Sequence, residues 1–213
     1  MDPSRPVAAE LAAFAARIGP AGAINGLTQM VLRLTMPGVP DLYQGTEFWD
    51  FSLVDPDNRR PVDFGKRDAA LGTTPLDAMA DWTDGRVKQA ILTRLLSLRA
   101  MQPELFAAGE YKPLKVSGPA ADHITAFTRS AGDRSVIIAT TRLPYGLCKT
   151  GDPIDRPLPP AGVWAGTTVL LPRNLSGRQC ADVLTDQRET KVLDDIAAAS
   201  LFAHLPVAVL HVP

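Results

Sequence analysis

From Leu53 to Phe64 the chain reads LVDPDNRRPVDF, which places three aspartates, one asparagine and two adjacent arginines within twelve residues. Carboxylates and guanidinium groups present planar forks of acceptors and donors. Such a set can make charge-assisted hydrogen bonds to neighbouring hydroxyls. Pro56 and Pro61 forbid a regular helix and a continuous strand ladder, and they reduce the entropy lost when the loop is ordered. Two readings follow from the residues. One is a solvated turn braced by its own ion pairs, Asp55 with Arg59 or Asp57 with Arg60. The other is a loop that grips a ligand rich in hydroxyls.

Other groups with chemical potential are sparse. Tyr43, Gln44, Glu47 and Trp49 lie just upstream, where an apolar run ends at Gly45. Trp49 can stack on a flat ligand face, although an indole in such a place more often packs on a neighbouring loop. His123 and His211 fall on expected strands and His204 in a turn, with no triad or metal-ligand spacing, so they read as structural. Cys148 and Cys180 form neither a metal motif nor a disulfide framework and read as reduced thiols. Lys and Arg total 22 against 23 Asp and Glu, so the charge balance gives no basis for binding nucleic acid or an anionic membrane. The N-terminus lacks the basic start and apolar core of a signal peptide. No run reaches the ~18 apolar residues of a membrane span. A cytoplasmic location is the expectation.

The elements that would position the loop come from periodicity. Val7, Leu11, Phe14 and Ile18 recur at helical spacing until Gly19-Pro20, which reads as a break. A second helix carries Ile24, Leu27, Val31 and Leu34 and stops at Pro37-Gly38. VPDLYQ, residues 39–44, reads as a short buried strand, followed by a polar loop to about Leu76. A third helix runs from about Gly85 to Met101, with Arg99 in its last turn where it suits the helix dipole. Beyond Gln102-Pro103 the runs HITAFTRS, RSVIIATT, GTTVLLP and LPVAVLHV read as antiparallel strands of a sandwich or small barrel, interrupted by a Pro/Gly-rich connection over residues 143–166. The expected division is 1–105 and 106–213. A lone strand at 39–44 would leave backbone groups unpaired. Helix, strand, polar loop and helix form one unit of a (β/α)₈ barrel. Residues 1–102 therefore read as the end of something larger.

TMPGVPDLYQGTEFWDFSLVDPDNRRPVDF resembles the final barrel segment of the maltooligosyl trehalose synthases, a family within the α-amylase superfamily (glycoside hydrolase family 13). GVPDLYQGTE is similar to the superfamily's eighth-strand pattern, and WDFSLVDPDNRRPVDF to this family's following loop. DPSRP, LTRLLSLRAMQPELFAAGEY and LPVAVL fit as well. The resemblance implies an α+β chain: the last β/α unit of a (β/α)₈ barrel, then an antiparallel β-sandwich. It implies the family's reaction, conversion of the reducing-end α-1,4 bond of a maltooligosaccharide into an α,α-1,1 bond. The superfamily's nucleophile, acid/base and stabilising carboxylate belong to the fourth, fifth and seventh strands. This chain would then hold no catalytic residue, cofactor or metal. Asp55 and Asp57, two residues apart on a loop, do not suit the ~5–5.5 Å carboxyl separation that retaining chemistry needs.

The same resemblance implies that Asp55 and Arg59 contact sugar, that Asn58 shapes the turn and that Glu47 anchors the loop. The substrate-binding set is Asp55, Asn58, Arg59, Arg60, Tyr43, Gln44 and Glu47. The implied partners are a maltooligosaccharide and either the rest of the barrel or a second copy, meeting at exposed barrel surfaces. A stand-alone carbohydrate-binding or interaction module without activity is the competing class. A hydrolytic amylase segment is a third reading, which DPDNRRPVD disfavours.

Overall fold

An alanine-rich stretch builds the longest element, helix α1 (Pro6–Thr35), in the computed structural model, which describes residues 6–52, 59–149, 154–186 and 190–213. The break expected at Gly19-Pro20 does not occur. Pro20 lies inside the helix, where it removes one backbone bond at a cost of about 3 kcal/mol. Alanine-rich flanks favour helix on both sides. From Pro20 onward the helix is also held by burial, with Ile24, Leu27, Val31 and Leu34 fully inside. By length and composition α1 would suffice to cross a membrane, contrary to the expectation that no segment would. A core helix passes the same test, and the second half of α1 is one.

The expected strand at residues 39–44 is not formed. Residues 39–43 carry no regular structure and Val39 is 96% exposed. A strand needs a neighbour to receive its backbone bonds, and none is present among the described residues. The region read as polar loop to Leu76 contains two short helices. In α2 (Phe64–Ala69) the Asp63 carboxylate accepts the Lys66 amide at 2.9 Å, and in α3 (Pro75–Met79) the Thr74 hydroxyl accepts that of Asp77 at 3.1 Å. Helix α4 (Arg86–Met101) matches its expected span within a residue, and α5 (Pro103–Ala107) follows after Gln102.

The second half is antiparallel throughout. Its strands are β1 (Glu110–Pro113), β2 (Val116–Ser117), β3 (Ile124–Ala131), β4 (Arg134–Thr141), β5 (Thr168–Leu170), β6 (Gln179–Asp182), β7 (Thr190–Lys191), β8 (Asp195–Ala197) and β9 (Val207–Val212). They form a six-stranded sheet in the order β1-β3-β4-β9-β6-β7 and a three-stranded sheet in the order β2-β5-β8. His123 ends a 3₁₀ turn just before β3, rather than lying on the strand as expected. The described parts of the connection over residues 143–166 also contain regular elements not expected from its composition. These are α6 (Pro144–Cys148) and a 3₁₀ turn that buries Trp164. The last helix is α7 (Ala198–Leu201).

Alternation along the strands explains the packing. Phe127, Val136, Ile138, Val207 and Val209 join Leu27, Val31, Leu34, Ile91, Leu95 and Leu98 in one cluster. Their strand neighbours Ala126, Ala139 and Ala208 meet Trp164, Val169 and Phe202 in another. Successive residues face opposite sides of a sheet. One face of the large sheet is therefore covered by α1 and α4, and the other by the small sheet with its connections. Burial on both faces is why SVIIATT and VAVLHV are almost continuously apolar.

Among the described residues one charged side chain is buried in the helix-facing core. Arg129 on β3 is 1% exposed and donates Nη1 to Thr35 O at 3.0 Å. Its Nη2 lies 3.1 Å from the carbonyl oxygens of Leu105, Phe106 and Gly109. These carbonyls lie at and just beyond the ends of α1 and α5, where helix dipoles are negative, and Leu105 O also accepts the Gly109 amide at 3.2 Å. Arg99 donates to Leu34 O at 2.7 Å, so it caps α1 rather than serving its own helix end. Burial, then the nearby Arg99 charge, hold the Arg129 pKa below its ordinary value. Arg129→Met should lower unfolding free energy by about 3 kcal/mol or more, since it strands several buried carbonyls. Arg94→Ala removes an exposed pair with Asp186 and should cost under ~1 kcal/mol. Urea denaturation compares the two; equal midpoints would refute the assignment of Arg129 as the helix-end anchor.

Candidate functional site

The turn at residues 44–48 starts the site. Gly45 adopts φ +86, where a side chain would be strained and a Cβ would lie 2.9 Å from Val62 Cγ2. Tyr43 O accepts both the Thr46 amide at 3.1 Å and the Thr46 hydroxyl at 2.6 Å, closing the turn. Trp49 then folds inward and donates Nε1 to Trp82 O at 2.7 Å. A Cβ at Gly26 of α1 would come within 3.2 Å of its ring, so the indole is packed on a helix and is not a free stacking platform. Lys88 donates to Phe48 O at 3.1 Å, and burial is the main reason its pKa falls below the ordinary lysine value. Asp50 accepts the Ser52 hydroxyl at 2.6 Å and amide at 2.8 Å, which draw its pKa down.

Gln44, Gly45 and residues 48–52 form one wall of an open cleft of about 550 Å³. Arg60, Pro61, Val62, Asp63, Lys66 and Arg67 form the other, with Thr83 and Asp84 completing the lining. The volume is within the range of small-molecule sites. The cleft offers carboxylates, cations, an amide and hydroxyls, a mixture suited to a polyhydroxylated ligand. A second cavity of about 430 Å³ near Cys180, Leu193, Ile196 and Leu201 is more apolar, and its lining includes none of the described residues singled out for sugar binding.

Of the sequence candidates, Gln44 and Arg60 are brought together on this cleft. Glu47 is half-buried behind it, accepting from Arg67 Nε at 3.0 Å. Tyr43 and Arg59 are exposed outside the lining. Asp55 and Asn58, and the alternative pair member Asp57, lie outside the described residues. Asp50, Asp63, Lys66, Arg67 and Asp84 were not anticipated. The signal for Asp63 and Arg67 was their spacing of four across a helix start, obscured because 64–69 read as loop. His123 Nδ1 lies 3.3 Å from Arg142 O, and burial lowers the His211 pKa. Burial pushes the Cys148 thiol up to about 11, which removes it as a nucleophile near neutrality. Among the described residues no group of three potential metal ligands converges.

No family model matches the chain. Its mixed architecture is similar to part of an α-amylase-type fold: an Anoxybacillus α-amylase aligns with a TM-score of 0.55 at 20% identity, over 89% of this chain and 32% of that one. The likeness narrows to one kind of enzyme. A Mycobacterium tuberculosis protein assigned as a maltooligosyl trehalose synthase is 40% identical over 206 residues, 96% of this chain and 23% of that protein. The maltooligosyltrehalose synthase of Arthrobacter ramosus aligns with a TM-score of 0.74 at 36% identity, over 99% of this chain and 25% of that one. Along nearly its whole length the chain is thus homologous to maltooligosyl trehalose synthases, and it spans about a quarter of the length of these relatives.

Gly85 holds the start of α4 against this cleft. It adopts φ +86, and a Cβ there would lie 2.7 Å from Trp49 N and 3.0 Å from Phe48 Cβ. Gly85→Ala should destabilise by about 1–3 kcal/mol and change the near-ultraviolet signal of Trp49. Gly22→Ala meets nothing within 4 Å on α1 and should be neutral or stabilising by up to about 1 kcal/mol. Thermal melts with near-ultraviolet dichroism distinguish these outcomes; a Gly85→Ala variant with wild-type signal would count against the packing described.

Proposed function

We propose that this chain is the C-terminal part of a maltooligosyl trehalose synthase, carrying sugar contacts and scaffold while the catalytic carboxylates lie elsewhere in the enzyme. Residues 1–105 then correspond to the last β/α unit of a (β/α)₈ barrel, and residues 106–213 to a β-sandwich domain. The reaction is transfer of a glucosyl bond within one substrate, from α-1,4 to α,α-1,1, in the cytoplasm. The observation that carries this reading is the polar cleft on which Gln44 and Arg60 meet, in a chain 40% identical to such a protein over 96% of its length. Asp55, Asn58, Arg59, Tyr43 and Glu47 complete the substrate-binding set, with Glu47 acting through the turn it braces. A guanidinium such as Arg60 can serve two adjacent equatorial hydroxyls at once.

The 213-residue chain should bind maltopentaose weakly and produce no non-reducing product from it, and Arg60→Ala should weaken binding roughly ten-fold or more, as expected for a lost charged hydrogen bond. Nuclear magnetic resonance titration and a reducing-end assay test both. Absence of binding, or turnover that survives repurification, would overturn the reading.

Exposed apolar groups support association with further protein. Val7, Leu11, Phe14 and Ile18 on α1 are 63, 49, 50 and 37% exposed. On the proposed reading these surfaces face the remainder of the barrel, and in its absence they pair with a second copy. The chain should therefore elute as a self-associated species that Leu11→Glu with Phe14→Glu shifts toward monomer. A monomer for the unaltered chain at high concentration in light scattering would refute this.

A further inference from the structure

The nitrogens of one guanidinium are divided between the two walls of the cleft. Arg67 donates Nη2 to Gly45 O at 2.6 Å and Nε to Glu47 Oε2 at 3.0 Å, both on the turn that forms the first wall. It donates Nη1 to Asp63 O at 3.0 Å, on the second. Its Cζ lies 4.9 Å from the ring centroid of Phe48, which is itself buried. The backbone is fixed too, because Arg67 O accepts Gln89 Nε2 at 2.9 Å and so attaches α2 to α4. The side chain is 17% exposed, so solvent competes little for these bonds. Gly45 adds a geometric condition: a Cβ there would lie between Val62 and Arg67 Nη2.

From this geometry we propose that Arg67 is a positioning residue for the sugar cleft. It sets the separation of the two walls, and thereby the distance between Gln44 and Arg60 across which a maltooligosaccharide is held. Arg67 does not itself need to touch the sugar. The proposal rests on the sugar-binding reading given above for the ligand, but not for the wall geometry. Lysine supplies charge without the fork, so it cannot serve Glu47, Gly45 and Asp63 together. Glu47 and Asp63 differ in role: the first gives a carboxylate, the second only its carbonyl, since the Asp63 side chain caps α2.

The test uses the 213-residue chain as wild type, Arg67→Lys and Arg67→Ala. Two quantities are read: amide hydrogen exchange by residue, and maltopentaose affinity by titration. Both variants should speed exchange at Thr46, Phe64 and Lys66, amides bonded within the two walls, by ten-fold or more. Amides of β4 and β9 should keep wild-type rates, and affinity should fall about ten-fold in both variants. Wild-type exchange and affinity in Arg67→Lys would overturn the proposal, because charge alone would then suffice. Faster exchange across the whole large sheet in both variants would also overturn it, showing a general stability role. If the wild type binds no maltopentaose, the sugar reading fails, and the exchange pattern by itself decides whether Arg67 positions the walls.

Discussion

A buried cation with no carboxylate partner among the described residues organises the helix-facing half of this molecule. Arg129 stands on β3 under the ends of α1 and α5 and bonds the carbonyls of Thr35, Leu105, Phe106 and Gly109. Neither the charge nor those carbonyls would be tolerable alone in the apolar core. Through Nη1 and Nη2 the charge and the carbonyls satisfy each other, while Nε is buried with no hydrogen-bond partner among the described residues, and the partial negative charge at two helix ends takes the place of an acid. Arg99 repeats the arrangement from α4 with Leu34 O, while its guanidinium lies 4.9 Å from the Phe106 ring centroid. Sheet, α1, α4 and α5 are thus joined where nonpolar contact by itself would permit sliding.

The cleft inherits its position from that junction. Fixing the last turn of α1 fixes where the chain leaves toward residue 44, and α1 also supplies Gly26, on which Trp49 packs. Trp49 in turn bonds Trp82 O, just before the left-handed Gly85 that begins α4. Helix α4 reaches back through Gln89 to Arg67 and through Lys88 to Phe48. The walls are therefore supported from rigid helices, although most lining residues belong to irregular chain. Short loops can hold a defined shape when each bend is bonded to such a scaffold.

The surface tells a complementary story. Apolar positions on the first half of α1 have the spacing of a packed face but no cover among the described residues, and Val39 stands almost fully exposed. Relatives four times as long contain additional protein that can supply such cover. The second half of the chain is different: its large sheet is covered on one face by α1 and α4 and on the other by the small sheet with its connections.

Much of the antiparallel half was legible in the residues. RSVIIATT became β4 (Arg134–Thr141), and LPVAVLHV contains β9, because long β-branched runs between turn signals have few alternatives. Helix α4 was equally plain, since its apolar stripe has the helical period and Gly85 marks its start. The polar stretch around Arg60 drew attention through composition alone. Tertiary structure decided the rest. Periodicity treats Pro20 as a stop, yet packing of the following turns carries α1 through it. VPDLYQ has the composition of a strand, but strands exist only as pairs, and here it has no neighbour among the described residues. Arg67 and Arg129 look in sequence like two ordinary cations among the 22 lysines and arginines. Apart from the Asp63 carbonyl four positions before Arg67, their carbonyl partners come from about 20 to more than 90 positions away, and no local pattern records a partner at that distance.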